Sequence, residues 1–235
     1  MIGNDVVDLL DEEARATERT PAFDARVFTA SERERILAAE DAPRMRWLMW
    51  AAKEAAYKLA RKRDAGLGFS PRRFEVGPFR VVDEHRRPAT RLSGRVRMGG
   101  LRVECEWISA PDFVHALCRE PALPPPQCTA VQRFEPLEGL PGDPGVLVRR
   151  LAVREIARTL GVPEDTLRIV KRDRIPFLYL GGREAGADLS LSHHGSVVAF
   201  ACWFPLRQEL AGPEGRSLVA SQPPPPSPAD GVLVP

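Results

Sequence analysis

The stretch WAAKEAAYK, residues 50–58, predicts a long helix with two charged groups on one face. Four residues advance an α-helix by just over one turn, so Glu54 and Lys58 share that face. The neighbouring residues are apolar or small, and the pattern extends from Pro43 to about Arg63. Charges held among apolar neighbours need partners, because an unpaired buried charge is costly. The pair is therefore either an ordinary surface ion pair or part of a site.

The N-terminal sequence MIGNDVVDL, residues 1–9, supplies another carboxylate. It predicts a short buried strand in which Gly3 lies just before Asp5. An acid inside an apolar strand is typical of a capping residue or a ligand. One Asp from a strand and one Glu from a helix can hold Mg²⁺, which takes one or two carboxylates and completes its shell with water and phosphate oxygens.

Together the two segments resemble the signature motifs of the 4′-phosphopantetheinyl transferase superfamily. That family has a Gly-x-Asp strand followed by a helix with the pattern Trp/Phe-x-x-Lys-Glu-x-x-x-Lys. The motifs stand here as Gly3-Asn4-Asp5 and residues 50–58, and residues 28–32 resemble the family's intervening segment. Each motif alone is weak, whereas the pair in this order and at this separation is specific.

The composition argues against several other classes of protein. The chain has 235 residues, of which 43% are hydrophobic, enough for one large domain or two small lobes. A net charge of +2 argues against a dedicated nucleic-acid binder. No apolar run approaches the roughly 18 residues of a membrane span, and no signal peptide is recognisable, so we expect a cytoplasmic protein. The four cysteines form no C-x-x-C pair, which indicates neither a zinc site nor a disulfide framework.

The patterns along the first half predict one lobe, which we place at residues 1–120. Thr29 or Ser31 is expected to cap a short helix ahead of the long one. Alternating residues then predict a hairpin around the Gly99-Gly100 turn, followed by an apolar strand at 113–118. Residues 121–144 are rich in proline and glycine and are expected to form a linker.

A second lobe is expected at residues 145–208, with a disordered tail at 209–235. Its helix runs from Val146 to Leu160, strands follow at 167–170 and 176–180, and residues 189–195 lead into an apolar strand at 197–203. We predict an α+β fold of two similar lobes, each an antiparallel sheet with a long helix, related by a pseudo-two-fold axis. The apolar segments 113–118 and 197–202 both end in cysteine, and this weak similarity favours the relation, although any two buried strands could look alike.

The motif Ser192-His193 precedes the last apolar strand. It resembles a Ser-His-Ser motif that contacts coenzyme A in large, two-lobed members of the family. In those enzymes the motif precedes the Gly-x-Asp strand, whereas here it follows the Lys-Glu helix. The resemblance therefore implies a circular permutation, with the metal lobe first. A histidine before a strand can also be simply a capping or buried residue.

The resemblance implies Mg²⁺-dependent transfer of 4′-phosphopantetheine from coenzyme A to a serine of an acyl or peptidyl carrier protein. Asp5 and Glu54 would hold the metal ion. Glu54, or a water that it orients, would take the serine proton, and Lys58 would stabilise the leaving phosphate. We expect a monomer, because both halves of the cleft lie in one chain, and no nucleic-acid or membrane partner.

The resemblance also implies contacts to coenzyme A. His193, with Ser192 beside it, would reach the 3′-phosphate, and Lys53 would meet a phosphate or solvent. Relatives hold a Gly-Lys-Pro phosphate contact where this chain has Arg174-Ile175-Pro176, so Arg174 or Lys171 is expected to replace the missing lysine.

One further departure concerns the acidic residues after Asp5. Many two-lobed relatives have a second acid at the position of Val7, whereas Asp8 faces the opposite side of a regular strand. We therefore expect a two-carboxylate site, with Asp8 capping the next helix. The departures also leave open a weak or inactive module that binds coenzyme A or a carrier, and, as a weaker idea, an arginine-driven nucleic-acid binder.

Overall fold

The computed structural model describes residues 1–17, 21–83, 89–134 and 143–204. The helices are α1 (Glu12–Thr17), α2 (Pro21–Val27), α3 (Ala30–Leu37), α4 (Ala42–Arg63) and α5 (Pro144–Leu160). The strands are β1 (Ile2–Asp8), β2 (Glu75–Val76), β3 (Arg80–Asp83), β4 (Thr90–Met98), β5 (Leu101–Ser109), β6 (Phe113–Arg119), β7 (Cys128–Arg133), β8 (Leu167–Arg172), β9 (Ile175–Leu180), β10 (Arg183–Glu184), β11 (Asp188–His194) and β12 (Val197–Trp203). The expected tail at 209–235 lies outside the described residues.

The first lobe is an antiparallel sheet with α4 packed across β1 and β6. The strand order is β1-β6-β5-β4-β2, and β3 pairs with β4 beside β2. The β4–β5 hairpin turns at Gly99-Gly100 as predicted, and Gly99 has the positive φ of 55° that favours glycine there. Antiparallel sheets combined with helices confirm the predicted α+β class; the pseudo-two-fold relation stays a prediction.

Gly3 allows α4 to lie unusually close to β1. A Cβ atom at this position would overlap the carbonyl oxygen of Ala55 and crowd the amide of Leu59. The facing side of α4 is correspondingly small, with Ala51, Ala52, Ala55 and Ala56 all fully buried. This close approach brings Lys58 of α4 next to Asp5.

Of the two candidate caps for α3, the structure uses Thr29. The Thr29 side chain accepts a hydrogen bond from the Glu32 amide at 3.3 Å, and the Glu32 carboxylate accepts one from the Thr29 amide at 2.8 Å. These reciprocal bonds form a capping box, which satisfies two helix donors. They also fix Glu32 inside the lobe.

The second lobe packs α5 on a sheet of order β11-β12-β7 and on the hairpin strands β8 and β9, and β10 pairs with β9. Gly161 ends α5 in the left-handed conformation, with φ of 69°, as its sequence position predicts. The segment expected to be a linker behaves differently, because its residues 128–133 form β7 and pair with β12. Chain between the lobes thus contributes a strand to the second one.

The two lobes meet along the free edge of β1. Its amides that face away from β6 donate to side chains of β11: Ile2 N to Asp188 Oδ2 at 2.6 Å, Asn4 N to Ser190 Oγ at 2.8 Å, and Asp8 N to His194 Nδ1 at 3.3 Å. An edge strand with unpaired amides is prone to aberrant pairing. Here the side chains of the second lobe cover that edge.

Lysines of α4 cover the carbonyl groups of the same edge. Lys58 Nζ donates to Asn4 O at 3.1 Å, and Lys62 Nζ donates to Ile2 O at 2.7 Å. Lys62 also forms an ion pair with Asp188 of the second lobe. The edge groups of Ile2 and Asn4 are therefore hydrogen-bonded by both the second lobe and α4, which holds β11 close to α4.

Among the described helices, none is both long and apolar enough to cross a membrane.

Candidate active site

A cleft of about 270 Å³ lies between α4 and the second lobe. Its first-lobe wall comes from the exposed side of α4, and its second-lobe wall from the β8–β9 hairpin and β11. Its lining includes Glu54, Lys58 and Arg61 on one wall, and Lys171, Arg174, Ser190, Ser192 and His193 on the other. Cationic and hydroxyl groups thus surround a space large enough for part of an anionic ligand.

Asp5 contacts this cleft through Lys58. The carboxylate is buried on β1, and its Oδ1 accepts a hydrogen bond from Lys58 Nζ at 2.7 Å. The same ammonium also binds the carbonyl of Asn4. Lys58 therefore uses two of its three donors on β1 and retains one that can face the cleft.

Glu54 lies one helical turn before Lys58 and close enough to Asp5 for their charges to interact. Burial and then the negative charge of Asp5 raise the pKa of Glu54 from 4.5 to about 7, while Lys58 opposes the shift. A carboxyl group with this pKa exchanges its proton near neutral pH. That is the property expected of a general base, or of a metal ligand in the absence of its cation.

The second lobe brings Ser192, His193, Lys171 and Arg174 to the same cleft. Partial burial and then the positive charges of Lys58 and Lys171 lower the pKa of His193. His193 is therefore neutral at physiological pH unless an anion binds beside it. Arg174 follows Asp173 in the two-residue turn of the β8–β9 hairpin, where both residues have positive φ.

The sequence profile of one protein family, described as ACPS, 4′-phosphopantetheinyl transferase superfamily, matches residues 1–118. This is half of the chain and contains Gly3, Asp5, Glu54 and Lys58. The chain belongs to the 4′-phosphopantetheinyl transferase superfamily. A search of curated proteins found no match. Membership supports a transferase of the phosphopantetheinyl type, and the residues of the second lobe lie outside the matched region.

The superfamily acts with coenzyme A and generally with a divalent metal ion. Within the described ranges, no group of three or more His, Cys, Asp or Glu side chains is arranged to hold a metal. Asp5 and Glu54 nevertheless fit such an ion, because burial and then the charge of Asp5 raise the pKa of Glu54, and a cation would oppose this shift. Two carboxylates leave the remaining positions to water and substrate phosphates, as Mg²⁺ prefers.

Lys53 does not reach the cleft, contrary to the expectation of a contact to phosphate or solvent. Its side chain is fully buried, and Nζ lies 2.8 Å from both carboxylate oxygens of Glu32. It also donates to the carbonyl groups of Pro71 and Phe74. Lys53 thus links α4 to α3 and to the segment before β2. Although it belongs to the superfamily motif, its ammonium group binds other parts of the first lobe.

Asp8 also has protein partners and faces away from Asp5. Its carboxylate accepts hydrogen bonds from both terminal nitrogens of Arg133, at 3.0 and 2.9 Å, and from the amides of Ser196 and Leu10. Burial alone would raise the pKa of Asp8, but these hydrogen bonds together lower it. Asp8 therefore connects the two lobes, and it also accepts the hydrogen bond from Leu10 in the turn that precedes α1.

Sequence reasoning missed Asn4, Ser190 and Arg61 as residues of this region. Asn4 is the middle residue of the Gly-x-Asp motif, and no function was predicted for it, although it is fully buried. Strand alternation would have placed Ser190 on the same side of β11 as Ser192. No sequence signal indicated that Arg61 would donate to the carbonyl of Asp173 across the cleft, at 2.8 Å.

Proposed function

We propose that this protein transfers 4′-phosphopantetheine from coenzyme A to a serine of an acyl or peptidyl carrier protein, with Mg²⁺ as cofactor. The observation that carries the proposal is the meeting of Asp5, Glu54 and Lys58 beside a cleft whose opposite wall holds Lys171 and His193. Superfamily membership supports the type of transfer. The carrier protein and the metal dependence are what the resemblance of residues 3–5 and 50–58 to the family motifs implies.

In the proposed reaction the serine oxygen of the carrier attacks the β-phosphorus of coenzyme A. A new phosphorus–oxygen bond forms to the serine, and the bond to 3′,5′-adenosine bisphosphate breaks. Glu54 takes the serine proton, directly or through a water that it orients. The pKa of about 7 belongs to the metal-free protein; a bound cation would keep the Glu54 carboxylate ionised and so able to accept the proton.

Cationic side chains of the cleft bind the phosphate groups of coenzyme A. Lys58 has a free donor for the bridging pyrophosphate and stabilises the charge that develops on the leaving group. Lys171 and Arg174 approach from the β8–β9 hairpin and can replace the lysine of the Gly-Lys-Pro contact. His193 and Ser192 approach the 3′-phosphate, where an anion would favour the protonated imidazole.

Asp5 and Glu54 are the proposed ligands for Mg²⁺. When bound, the ion would neutralise part of the pyrophosphate charge and so ease attack on phosphorus. Lys58 already balances the charge of Asp5 and stays within reach of the same carboxylate. The protein therefore keeps the two acids close together with a lysine that can shift toward the phosphates.

We further propose that the lobes stand in permuted order, with the metal lobe first and the coenzyme A lobe second. The family match at residues 1–118 and the position of Ser192 and His193 across the cleft support this order. We also propose a cytoplasmic location, and a monomeric state because one chain supplies both walls of the cleft.

A second candidate function is a module that binds coenzyme A or a carrier but transfers slowly or not at all. Two observations favour it: position 7 is Val rather than an acid, and an ammonium already occupies Asp5. Calorimetry that finds coenzyme A binding, together with no transfer to any carrier, would support this candidate.

The test of the proposed function uses a panel of apo acyl and peptidyl carrier domains with coenzyme A and Mg²⁺. Intact-protein mass spectrometry should show one carrier gaining the mass of 4′-phosphopantetheine, with the modified serine located by fragmentation. Absence of transfer to every carrier, despite measurable coenzyme A binding, would favour the non-catalytic module.

A further inference from the structure

Asn4 is the most completely enclosed polar residue at the boundary between the lobes. Its side chain is fully buried, and its amide nitrogen Nδ2 lies 3.2 Å from Ser192 Oγ and 3.3 Å from His115 Nε2. Its backbone N–H donates to Ser190 Oγ, and its backbone carbonyl accepts from Lys58. One residue thus contacts the serines of the second lobe and the lysine of the proposed site.

The orientation of the Asn4 amide follows from its hydrogen bonds. With Nδ2 facing Ser192 and His115, the single carbonyl oxygen Oδ1 is left without a partner among the described residues. The reverse orientation would bury an NH₂ group, with two donors, at that unpartnered position. Leaving two buried donors unsatisfied costs more than leaving one acceptor, so the first orientation is favoured.

This orientation fixes the proton on His115. Nδ2 of Asn4 can only donate, so Nε2 of His115 must accept and the imidazole carries its proton on Nδ1. Burial and then the charge of Lys58 lower the pKa of His115 to about 4, in agreement with a neutral ring. The tautomer of His115 therefore reports which way the Asn4 amide points.

The backbone N–H of Asn4 and its side-chain amide in this orientation leave two serine hydroxyl protons free. Ser190 Oγ accepts from the Asn4 backbone and Ser192 Oγ accepts from its side chain, so each hydroxyl keeps its own proton for another acceptor. No such acceptor is found among the residues that the structure describes. Both serines line the cleft beside Lys58, where an anionic oxygen would provide one.

We propose that Asn4 is a positioning residue that directs the hydroxyl protons of Ser190 and Ser192 toward a phosphate oxygen of coenzyme A in the cleft. The proposal rests on the proposed function for the identity of the ligand. It adds Ser190 to the phosphate-binding groups and assigns a role to the middle residue of the Gly-Asn-Asp motif.

The first experiment measures the His115 tautomer by ¹⁵N NMR in the wild-type protein. The expected result is a neutral ring with its proton on Nδ1 at about pH 7. A proton on Nε2 would mean that the Asn4 amide is reversed and that Ser192 donates to it, which would overturn the proposal. This measurement requires neither a variant nor a ligand.

The second experiment measures the dissociation constant for coenzyme A by calorimetry without metal ion or carrier. Ser190→Ala and Ser192→Ala should each weaken binding roughly 10-fold, because each removes a hydrogen bond to a charged oxygen. Asn4→Leu should weaken binding similarly in the wild-type background and much less in a Ser192→Ala background. Ser196→Ala, which changes a serine outside the cleft, is the matched control and should bind normally.

The outcomes separate the two proposals. Wild-type binding that is unchanged in both serine variants would overturn the role of Asn4 and leave the proposed function standing. A wild-type protein that does not bind coenzyme A would overturn both. If Asn4→Leu does not fold, the serine variants and the His115 tautomer still decide the question.

Discussion

Glu54 is a residue at which the proposed function and stability oppose each other. Its burial near Asp5 raises its pKa to about 7, so the folded protein resists the charged form that a ligand or base requires. The unfolded chain has no such penalty, and the ordinary pKa of 4.5 applies there. Stability should therefore depend on pH through this side chain.

We predict that Glu54→Gln stabilises the metal-free protein at alkaline pH. Between pH 4.5 and about 7 the folded state holds a proton that the unfolded state releases, so the wild-type free energy of unfolding falls as pH rises. At about pH 8 the variant should be more stable by up to about 3 kcal/mol, and near pH 4 the difference should vanish. Urea denaturation across this range is the measurement, and a difference independent of pH would contradict the assignment.

The same substitution should lower stability at Lys53 and affinity for coenzyme A at Lys171. Lys53→Met leaves Glu32 buried without its ion partner, so unfolding should become easier by about 3–5 kcal/mol. Lys171→Met removes a cation from the cleft wall, so coenzyme A should bind more weakly while stability stays within about 0.5 kcal/mol. Denaturant titration and calorimetry on both variants provide the comparison. Normal stability of Lys53→Met would show that the ion pair with Glu32 is unimportant.

At the scale of the secondary-structure elements, the site depends on how closely α4 approaches β1. Gly3 has no side chain, and the facing turn of α4 contains alanines. This packing, rather than any direct bond between Asp5 and Glu54, sets the separation of the two carboxylates. A substitution that widens the gap should therefore affect stability and the metal site together.

We predict that Gly3→Ala destabilises the protein by about 1–3 kcal/mol and weakens its response to Mg²⁺. The added methyl group meets the backbone of α4, which cannot move aside as a flexible side chain could. Gly68→Ala is the matched control, since a Cβ there meets no atom within 4 Å. Thermal unfolding with and without Mg²⁺ measures both effects. Equal behaviour of the two variants would rule out the close approach.

The elements with strong local patterns were predictable, and those set by distant contacts were not. The apolar face of α4 and the glycine turn of the β4–β5 hairpin are local signals, and the structure has both elements where expected. Strand β7 lies in a proline-rich stretch and forms through pairing with β12, far along the chain. Helical spacing placed Lys53 on α4, but only the tertiary fold brings Glu32 to it.

At the scale of the whole molecule, polar side chains hold the lobes together around β1. Asp8 binds Arg133, which also contacts Asp112, and Lys62 binds Asp188. A small apolar contact of Val6 with Val197 and Ala199 accompanies them. The cleft between the lobes therefore depends on charged and hydrogen-bonded groups more than on a shared core.

Removing Arg133 should loosen this interface. Arg133→Met leaves the buried carboxylate of Asp8 with amide partners only, so we expect a loss of about 2–3 kcal/mol of stability. Coenzyme A should also bind more weakly, because β11 is less firmly held against β1. The control is Arg158→Met, which removes an exposed ion pair with Glu155 and should change stability by less than about 1 kcal/mol. An equal, small effect of both variants would argue against an interface held by Asp8.

The initial rate of carrier loading as a function of Mg²⁺ concentration tests whether Asp5 and Glu54 form one metal-dependent site. Wild-type protein should show a rate that rises with Mg²⁺ and saturates, and chelation should abolish it. Asp5→Asn and Glu54→Gln, checked for intact folding by circular dichroism, should each lose roughly 100-fold in rate. Loading at the wild-type rate by either folded variant, or a rate that does not depend on a divalent metal ion, would contradict the site described.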